Sequence, residues 1–147
     1  MFFAGGHSPL SNLHPCTISN GEHEFTSSEQ YFQYEKCLAH KRRDIAVKVL
    51  AATTPREAMY KGKEVKCSQE WNKNHGVKIM KTVLEAKLAQ VDSFRNILES
   101  YPDKTLVEAS RDPVWGIGIP FSAQNIVDDS TWNGSNLMGH VLSELIK

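Results

Sequence analysis

The apolar positions of this chain mark short strands first and a longer run of helices after them. Phe2-Phe3 reads as a short strand stopped by Gly5-Gly6. Residues 7–15 read as a loop, because Ser8-Pro9 and Ser11-Asn12 are turn formers. Thr17-Ile18 and Glu24-Phe25 flank Asn20-Gly21, a strong hairpin signal. A helix opens at Thr26-Ser27-Ser28, with hydroxyl residues at the capping-box spacing before Glu29 and Gln30. Asp44 to Ala52 forms a second helix with Ile45, Val49 and Leu50 inward. Thr54, Pro55 and Glu57 open a third, with Thr54 as cap, Pro55 at the first helical position and Glu57 closing the box; Gly62 stops it.

Val77 to Gln90 is the longest predicted helix, its stripe made by Met80, Val83, Leu84, Leu88 and Val91. Ser93 caps a further helix running to Leu98. Thr105 to Ala109 reads as a strand, Asp112 to Gly118 as a rigid aromatic loop, and Asn125 to Gly134 as a polar connection carrying Trp132. The last helix runs from Asn136 to Ile146 with Leu137, Val141, Leu142 and Leu145 inward. The strands are short and do not alternate regularly with helices, and no repeat or linker interrupts the chain. The pattern therefore predicts a helix-rich α+β single domain over residues 1–147, with a small sheet of short strands.

Composition narrows the function classes. With 147 residues and 40% hydrophobic content, the chain is long enough to bury a core without staples. Lys plus Arg equals Asp plus Glu, so the net charge is zero. That argues against a long nucleic-acid track but leaves room for a pocket that takes one nucleotide. No signal-peptide pattern or membrane-length apolar run is present, which predicts a cytoplasmic or nuclear protein without a membrane partner. Cys16, Cys37 and Cys67 are odd in number and widely spaced, and the six histidines form no HxH or HxxxH pair. Neither a disulfide framework nor a metal site is expected. There is no phosphate-binding glycine loop and no GxSxG elbow.

The chemistry-bearing residues lie among aromatics and glycines. Glu29 and Lys36 are seven residues apart, so at about 100° per residue they share one side of a helix. Phe32 and Gln33 fall between them, giving a wall of acid, ring, amide and amine suited to a polar, sugar-like ligand. The alternative is that Glu29 only caps its own helix, while Lys36 is solvated with its stem on Phe32. Asp112 beside Trp115 offers a carboxylate for a ribose hydroxyl or a developing cation, or else a turn cap before Pro113. Lys87 lies at the margin of an apolar stripe, where a lysine normally snorkels to water. Backbone N–H groups around Trp132 to Asn136 precede a helix and suit an anion, unless Ser135 or Asn136 simply caps it.

Taken in order, these segments resemble one family. Phe2-Phe3-Ala4-Gly5-Gly6-His7-Ser8-Pro9 through Asn12-Leu13 is similar to its opening FFxGG-HSPFSNF pattern. Ser27-Ser28-Glu29-Gln30-Tyr31-Phe32 with Lys36 resembles its SSEQYF…K helix. Leu106 to Ser110 with Asp112 and Trp115-Gly116-Ile117-Gly118 resembles its LVEAS…D..WGIG block. Trp132, Gly134, Asn136, Gly139 and Leu142 match its closing run. The resemblance is to the NADAR family, named for NAD and ADP-ribose and also called YbiA-like, and it spans essentially the whole chain. Two segments depart from the pattern. Gly62-Lys63-Glu64-Val65 stands where the family usually has Gly-Arg-x-Val, and Lys63 lacks the bidentate fork of arginine. The closing helix reads Leu142-Ser143-Glu144-Leu145-Ile146 instead of an LMEVR-like run.

The resemblance implies a YbiA-like fold and an N-glycosidase; hydrolysis at ribose needs no cofactor, and a monomer is expected. One branch of the family removes ADP-ribose from the guanine amino group of nucleic acid. Another hydrolyses phosphorylated ribosylamino-pyrimidine intermediates of riboflavin synthesis. Both cleave a ribose C1–N bond. It implies Lys36 as catalytic amine or electrostatic partner, Glu29 as acid/base and Asp112 as ribose-orienting carboxylate. Two routes suit them, water attack on a cationic C1 or a Schiff base on Lys36. Gly5, Gly6 and Asn12 would shape the pocket floor, Lys63 and the Gly134 backbone would meet the diphosphate, and Trp115 and Trp132 would pack on ribose or adenine. Phe32, Gly116 and Asn136 complete the expected binding set. A non-catalytic ADP-ribose-binding module is the competing class; it would not need Glu29 and Lys36 as a pair.

Overall fold

The computed structural model describes residues 1–102, 105–120, 122–123 and 126–146. The first residue of the predicted polar connection, Asn125, lies outside them. Among the described residues four two-residue strands, β1 (Phe2–Phe3), β2 (Ile18–Ser19), β3 (Glu24–Phe25) and β4 (Val107–Glu108), form two small sheets. β1 pairs parallel with β4 in the register Phe2–Val107 and Phe3–Glu108, which brings the first strand against a segment from the last third of the chain. β2 and β3 form the antiparallel hairpin, turned at Asn20-Gly21. Asn20 Oδ1 accepts from the N–H groups of Glu22 and His23 at 2.9 and 2.7 Å, and Gly21 takes φ +90°.

The helices are α1 (Ser28–Ala39), α2 (Arg43–Leu50), α3 (Pro55–Gly62), α4 (Gln69–Trp71), α5 (Val77–Gln90), α6 (Asp92–Glu99) and α7 (Leu137–Leu145). Ser27 caps α1, its Oγ accepting from Gln30 N–H at 3.1 Å. Gln30 reaches back, accepting from Thr26 N–H at 2.8 Å, so the capping task falls to Gln30 and leaves Glu29 free of it. The Gln30 amide also donates to the carbonyls of Val49 and Leu50 at 3.2 Å, satisfying the end of α2. Thr54 caps α3 as expected, but Glu57 reaches one residue further back, to Thr53 N–H.

Three expected details differ. α6 starts at Asp92 with Val91 at its cap position, and Ser93 is exposed inside its first turn. Along α7 the buried positions are Met138, Gly139, Val141 and Leu142, with Leu137 and Leu145 only half-buried. The stripe slides by one residue because α7 lays Gly139 directly against the Leu106 carbonyl. The segment 69–76, where the apolar pattern gives no element, is helical; α4 runs through a π-helical turn, Asn72–Gly76, into α5. Such turns are rare, mostly single turns within α-helices, and occur often at functional sites.

Two apolar clusters hold the fold. The larger packs α1, α5, α6 and α7 with β1 and the hairpin around Phe25, Met80, Leu84, Phe94 and Leu142. Phe25 stacks on Tyr31 at a ring separation of 4.4 Å. The smaller joins α1, α2 and α3 around Cys37, Ile45, Val49 and Ala58. α1 is shared by both clusters, which fixes the orientation of its remaining face.

Candidate active site

That remaining face of α1 lines a cavity of about 880 Å³. Its volume lies within the roughly 300–1,000 Å³ of small-molecule sites. Glu29, Phe32, Gln33 and Lys36 all border it, at the spacing their sequence positions require. Opposite them stand Glu108 from β4 and Asp112 and Trp115 from the loop that follows, while Asn12 comes from the loop after β1. Phe32 meets Trp115 edge-on at 5.3 Å, closing one end with aromatic rings.

Glu29 is held at both ends. Its N–H donates to the Asn12 carbonyl at 3.0 Å, and its Oε1 accepts from Gln33 Nε2 at 2.8 Å. Burial raises its carboxyl above the ordinary value, an effect that Asp112 adds to and that the Gln33 bond and Lys36 oppose. Lys36 is only 7% exposed, and its Nζ donates to the Gly62 carbonyl at 2.9 Å. Burial lowers the Lys36 amine, with Cys67, Cys37 and Glu29 pulling the other way. The solvated reading of Lys36 is therefore overturned: helix α3 closes over its stem. Gly62 must lack a side chain here, since a Cβ would fall 2.1 Å from Gln33 Oε1.

Glu108 sits between two core residues, Val107 and Ala109, so strand alternation turns it away from the core and to the cavity. Its N–H donates to Asn136 Oδ1 at 2.9 Å, and its carbonyl accepts from Ser110 and Ile117, each at 3.0 Å. Burial pushes its carboxyl up to about 8, reinforced by Glu29 and Asp112 and opposed by Lys87. Asp112 lines the cavity and is exposed; its Oδ1 accepts from Val114 and Trp115 N–H at 2.8 and 3.0 Å. Asp112 thus caps the turn through one oxygen while it also lines the cavity.

Lys87 does not snorkel. It is fully buried and donates to Pro9 O at 2.9 Å, Ser11 O at 3.2 Å and Ser28 Oγ at 3.3 Å, over the Phe94 ring. Burial pushes its amine down to about 8. It ties the loop bearing Asn12 to the first residue of α1, which sets where Glu29 enters the cavity. Among the described residues, three buried side-chain oxygens have no hydrogen-bond partner: Asn12 Oδ1, Gln33 Oε1 and Glu108 Oε2. All three belong to residues that line this cavity. Among the described residues, no group of three His, Cys, Asp or Glu is placed to hold a metal ion.

The sequence profile of the NADAR domain matches residues 1–147. The chain belongs to the NADAR family. Protein irg-1 of Caenorhabditis elegans is 35% identical over 127 residues, which span 83% of this chain and 59% of irg-1. The NADAR chain therefore accounts for well under two thirds of that relative. The N-glycosidase R617 of Acanthamoeba polyphaga mimivirus is 31% identical over 132 residues, 86% of this chain and 76% of that protein. The NMR structure of Escherichia coli YbiA superimposes with a TM-score of 0.73 over 99% of this chain and 82% of YbiA, at 24% identity. The helix-rich α+β fold is the YbiA-like fold.

Of the residues expected at the NADAR site, Glu29, Lys36, Asp112, Gly5, Asn12, Phe32, Lys63 and Trp115 line the cavity. Five others do not border it. Trp132 packs edge-on against Phe2 and donates to the Ile126 carbonyl at 2.8 Å. Gly134 lies against the backbone of Gly116 and Ile117, and Gly116 against Glu108 and Asp112, so these glycines permit close backbone approach. Gly6 offers its carbonyl to His14. Asn136, left-handed at φ +50°, clamps Leu106 O and Glu108 N–H and so positions Glu108. Conversely, Glu108, Arg56, Arg111 and Asn72 line the cavity without having been expected there. A glutamate in a short, otherwise apolar strand gives no sign of facing a cavity instead of solvent. Asn72 could be found only through the π-helical turn.

Proposed function

We propose that this NADAR chain is an N-glycosidase that hydrolyses a ribose C1–N bond, removing ADP-ribose from the guanine amino group of nucleic acid. The carrying observation is the convergence of Glu29, Lys36 and Asp112 on one cavity whose lining residues include every unpartnered buried side-chain oxygen among those described. Unpaired buried polar groups cost about 1–3 kcal/mol each, and a site for a polar ligand is where such a cost persists. The N-glycosidase R617 relationship supports the reaction class.

The substrate is supported by charge layout. Arg56, Lys63 and Arg111 are exposed at the cavity rim, above a floor holding Glu29, Glu108 and Lys36. A basic rim over an acidic floor suits a ligand with phosphates at one end and a ribose carbon becoming cationic at the other. In the reaction Glu29 handles the proton of the attacking group, Asp112 orients the ribose hydroxyls, and Lys36 supplies an amine or its charge at C1. A reader module would have no use for a buried amine and a carboxylate paired on one helix face of the cavity.

The test is incubation with guanine-ADP-ribosylated oligonucleotide, following free ADP-ribose. Release by wild type that Glu29→Gln and Lys36→Ala abolish supports the proposal. No release from folded protein rejects the guanine substrate and directs the same assay to ribosylamino-pyrimidine phosphates. Tight ADP-ribose binding without turnover of either would identify a reader.

A further inference from the structure

Resting on that glycosidase reading, we propose that Glu108 is the group that hands a proton to the nitrogen leaving C1 of the ribose. Among the described residues three carboxyl groups border the cavity, and their oxygens differ in partners. Glu29 Oε1 is occupied by Gln33 Nε2, and Asp112 Oδ1 by two backbone amides. Both are arranged as acceptors, which suits an ionised carboxylate. Glu108 Oε2 is buried, and no described residue donates to it. A carboxyl oxygen with no donor facing it is better placed to carry a proton than a charge.

The backbone of Glu108 is fixed at both polar atoms, by Asn136 on its N–H and by Ser110 and Ile117 on its carbonyl. That fixation holds the acid in place before substrate enters. The titratable groups around it are Glu29 on α1, Asp112 on the following loop and Lys87 on α5. β1 and the cap of α7, also packed against β4, bring Phe3 and Asn136, neither of which titrates. With its carboxyl pushed up to about 8, Glu108 holds its proton at neutral pH.

In the step itself the C1–N bond breaks and its electron pair goes to nitrogen, which takes the Glu108 proton and leaves as a neutral amine. Water, or the Lys36 amine followed by water, bonds to C1. The proton that water releases returns to the Glu108 carboxylate, through Glu29 where Glu29 activates the water. The enzyme is restored and one water is consumed.

The experiment compares wild type and Glu108→Gln on two kinds of substrate. One is whichever amine-linked substrate the wild type turns over, guanine-linked ADP-ribose or a ribosylamino-pyrimidine phosphate. The other is the matching ribosyl phosphate with a 4-nitrophenolate leaving group, which departs without a proton. Glu108→Gln should lose about 100-fold or more in kcat on the amine-linked substrate and change only a few-fold on the nitrophenyl one. Wild-type kcat should fall above about pH 8 on the first substrate alone, a readout that needs no variant. Equal losses on both substrates, no loss on either, or identical wild-type pH profiles overturn the proposal. Wild-type turnover of the nitrophenyl substrate alone also overturns it. Folded wild type that cleaves neither kind of substrate overturns the glycosidase reading itself, and Glu108 as donor with it.

Discussion

The amine of Lys36 on α1 and the carbonyl of Gly62 at the end of α3 are joined by a 2.9 Å hydrogen bond. The bond aims an otherwise flexible side chain along the cavity wall, and burial favours its neutral form relative to a solvated lysine. Arginine at this position would keep the charge but could not act as a nucleophile. Lys36→Arg should therefore lower kcat by about 100-fold or more if the amine attacks C1. Borohydride should trap an adduct on wild type and none on the variant. An active Lys36→Arg without a trappable wild-type adduct assigns Lys36 a purely electrostatic part.

Gly62 itself should resist substitution. In Gly62→Ala the new Cβ falls 2.1 Å from Gln33 Oε1 and 2.6 Å from its Cδ. Gln33 must move, which breaks its bond to Glu29, or α3 must lift from α1, which displaces the acceptor of Lys36. Overpacking of this kind costs about 1–3 kcal/mol, readable by urea denaturation. Activity should fall further than the fraction of folded protein, because both site residues lose their anchors.

Glu29→Gln should be more stable than wild type while being inactive. The folded-state Glu29 carboxyl binds its proton more tightly than the unfolded chain, whose ordinary value is 4.5. The folded state is therefore penalised as pH rises above that value and unaffected well below it. Thermal unfolding at about pH 7 should show the variant melting higher, and at about pH 3 the two should coincide. A lower melting temperature at neutral pH would mean that the Gln33 bond outweighs the burial of charge.

Lys87→Met should weaken the fold and the site together. It leaves Pro9 O, Ser11 O and Ser28 Oγ without their buried donor. Each unsatisfied group costs about 1–3 kcal/mol, partly offset by removing a buried charge. The sign of the pH effect is distinctive. The folded amine, pushed down to about 8, releases its proton before the unfolded one at 10.5, so wild type gains stability as pH rises between those values. The methionine variant should show no such gain in denaturant titrations across that range.

Much of the fold was legible along the chain because its signals are local. Asn20-Gly21 turned the hairpin, and Thr54 with Pro55 opened α3, since caps and turns depend on neighbours a few residues away. The period of Glu29, Phe32, Gln33 and Lys36 placed them on one face for the same reason. The short helix and π-helical turn over 69–76 were not legible because their residues carry no apolar stripe; Gly76 lies close to Trp115, a residue distant along the chain.

Sequence alone determined the order of the elements outside residues 69–76, the shared face of α1, the family pattern and the residue types on offer for chemistry. Only the tertiary structure decided which of those residues meet. It turned Trp132 to packing on β1, Gly134 to close approach on the Gly116–Ile117 backbone and Asn136 to the backbone of β4, and brought Glu108 into the cavity. It also buried Lys87, which the sequence placed at a margin open to water. The physical reason is that burial and charge environment depend on residues distant along the chain. Lys87 reaches back 78 positions to Pro9, and Asn136 reaches 28 to Glu108; no local period encodes either contact.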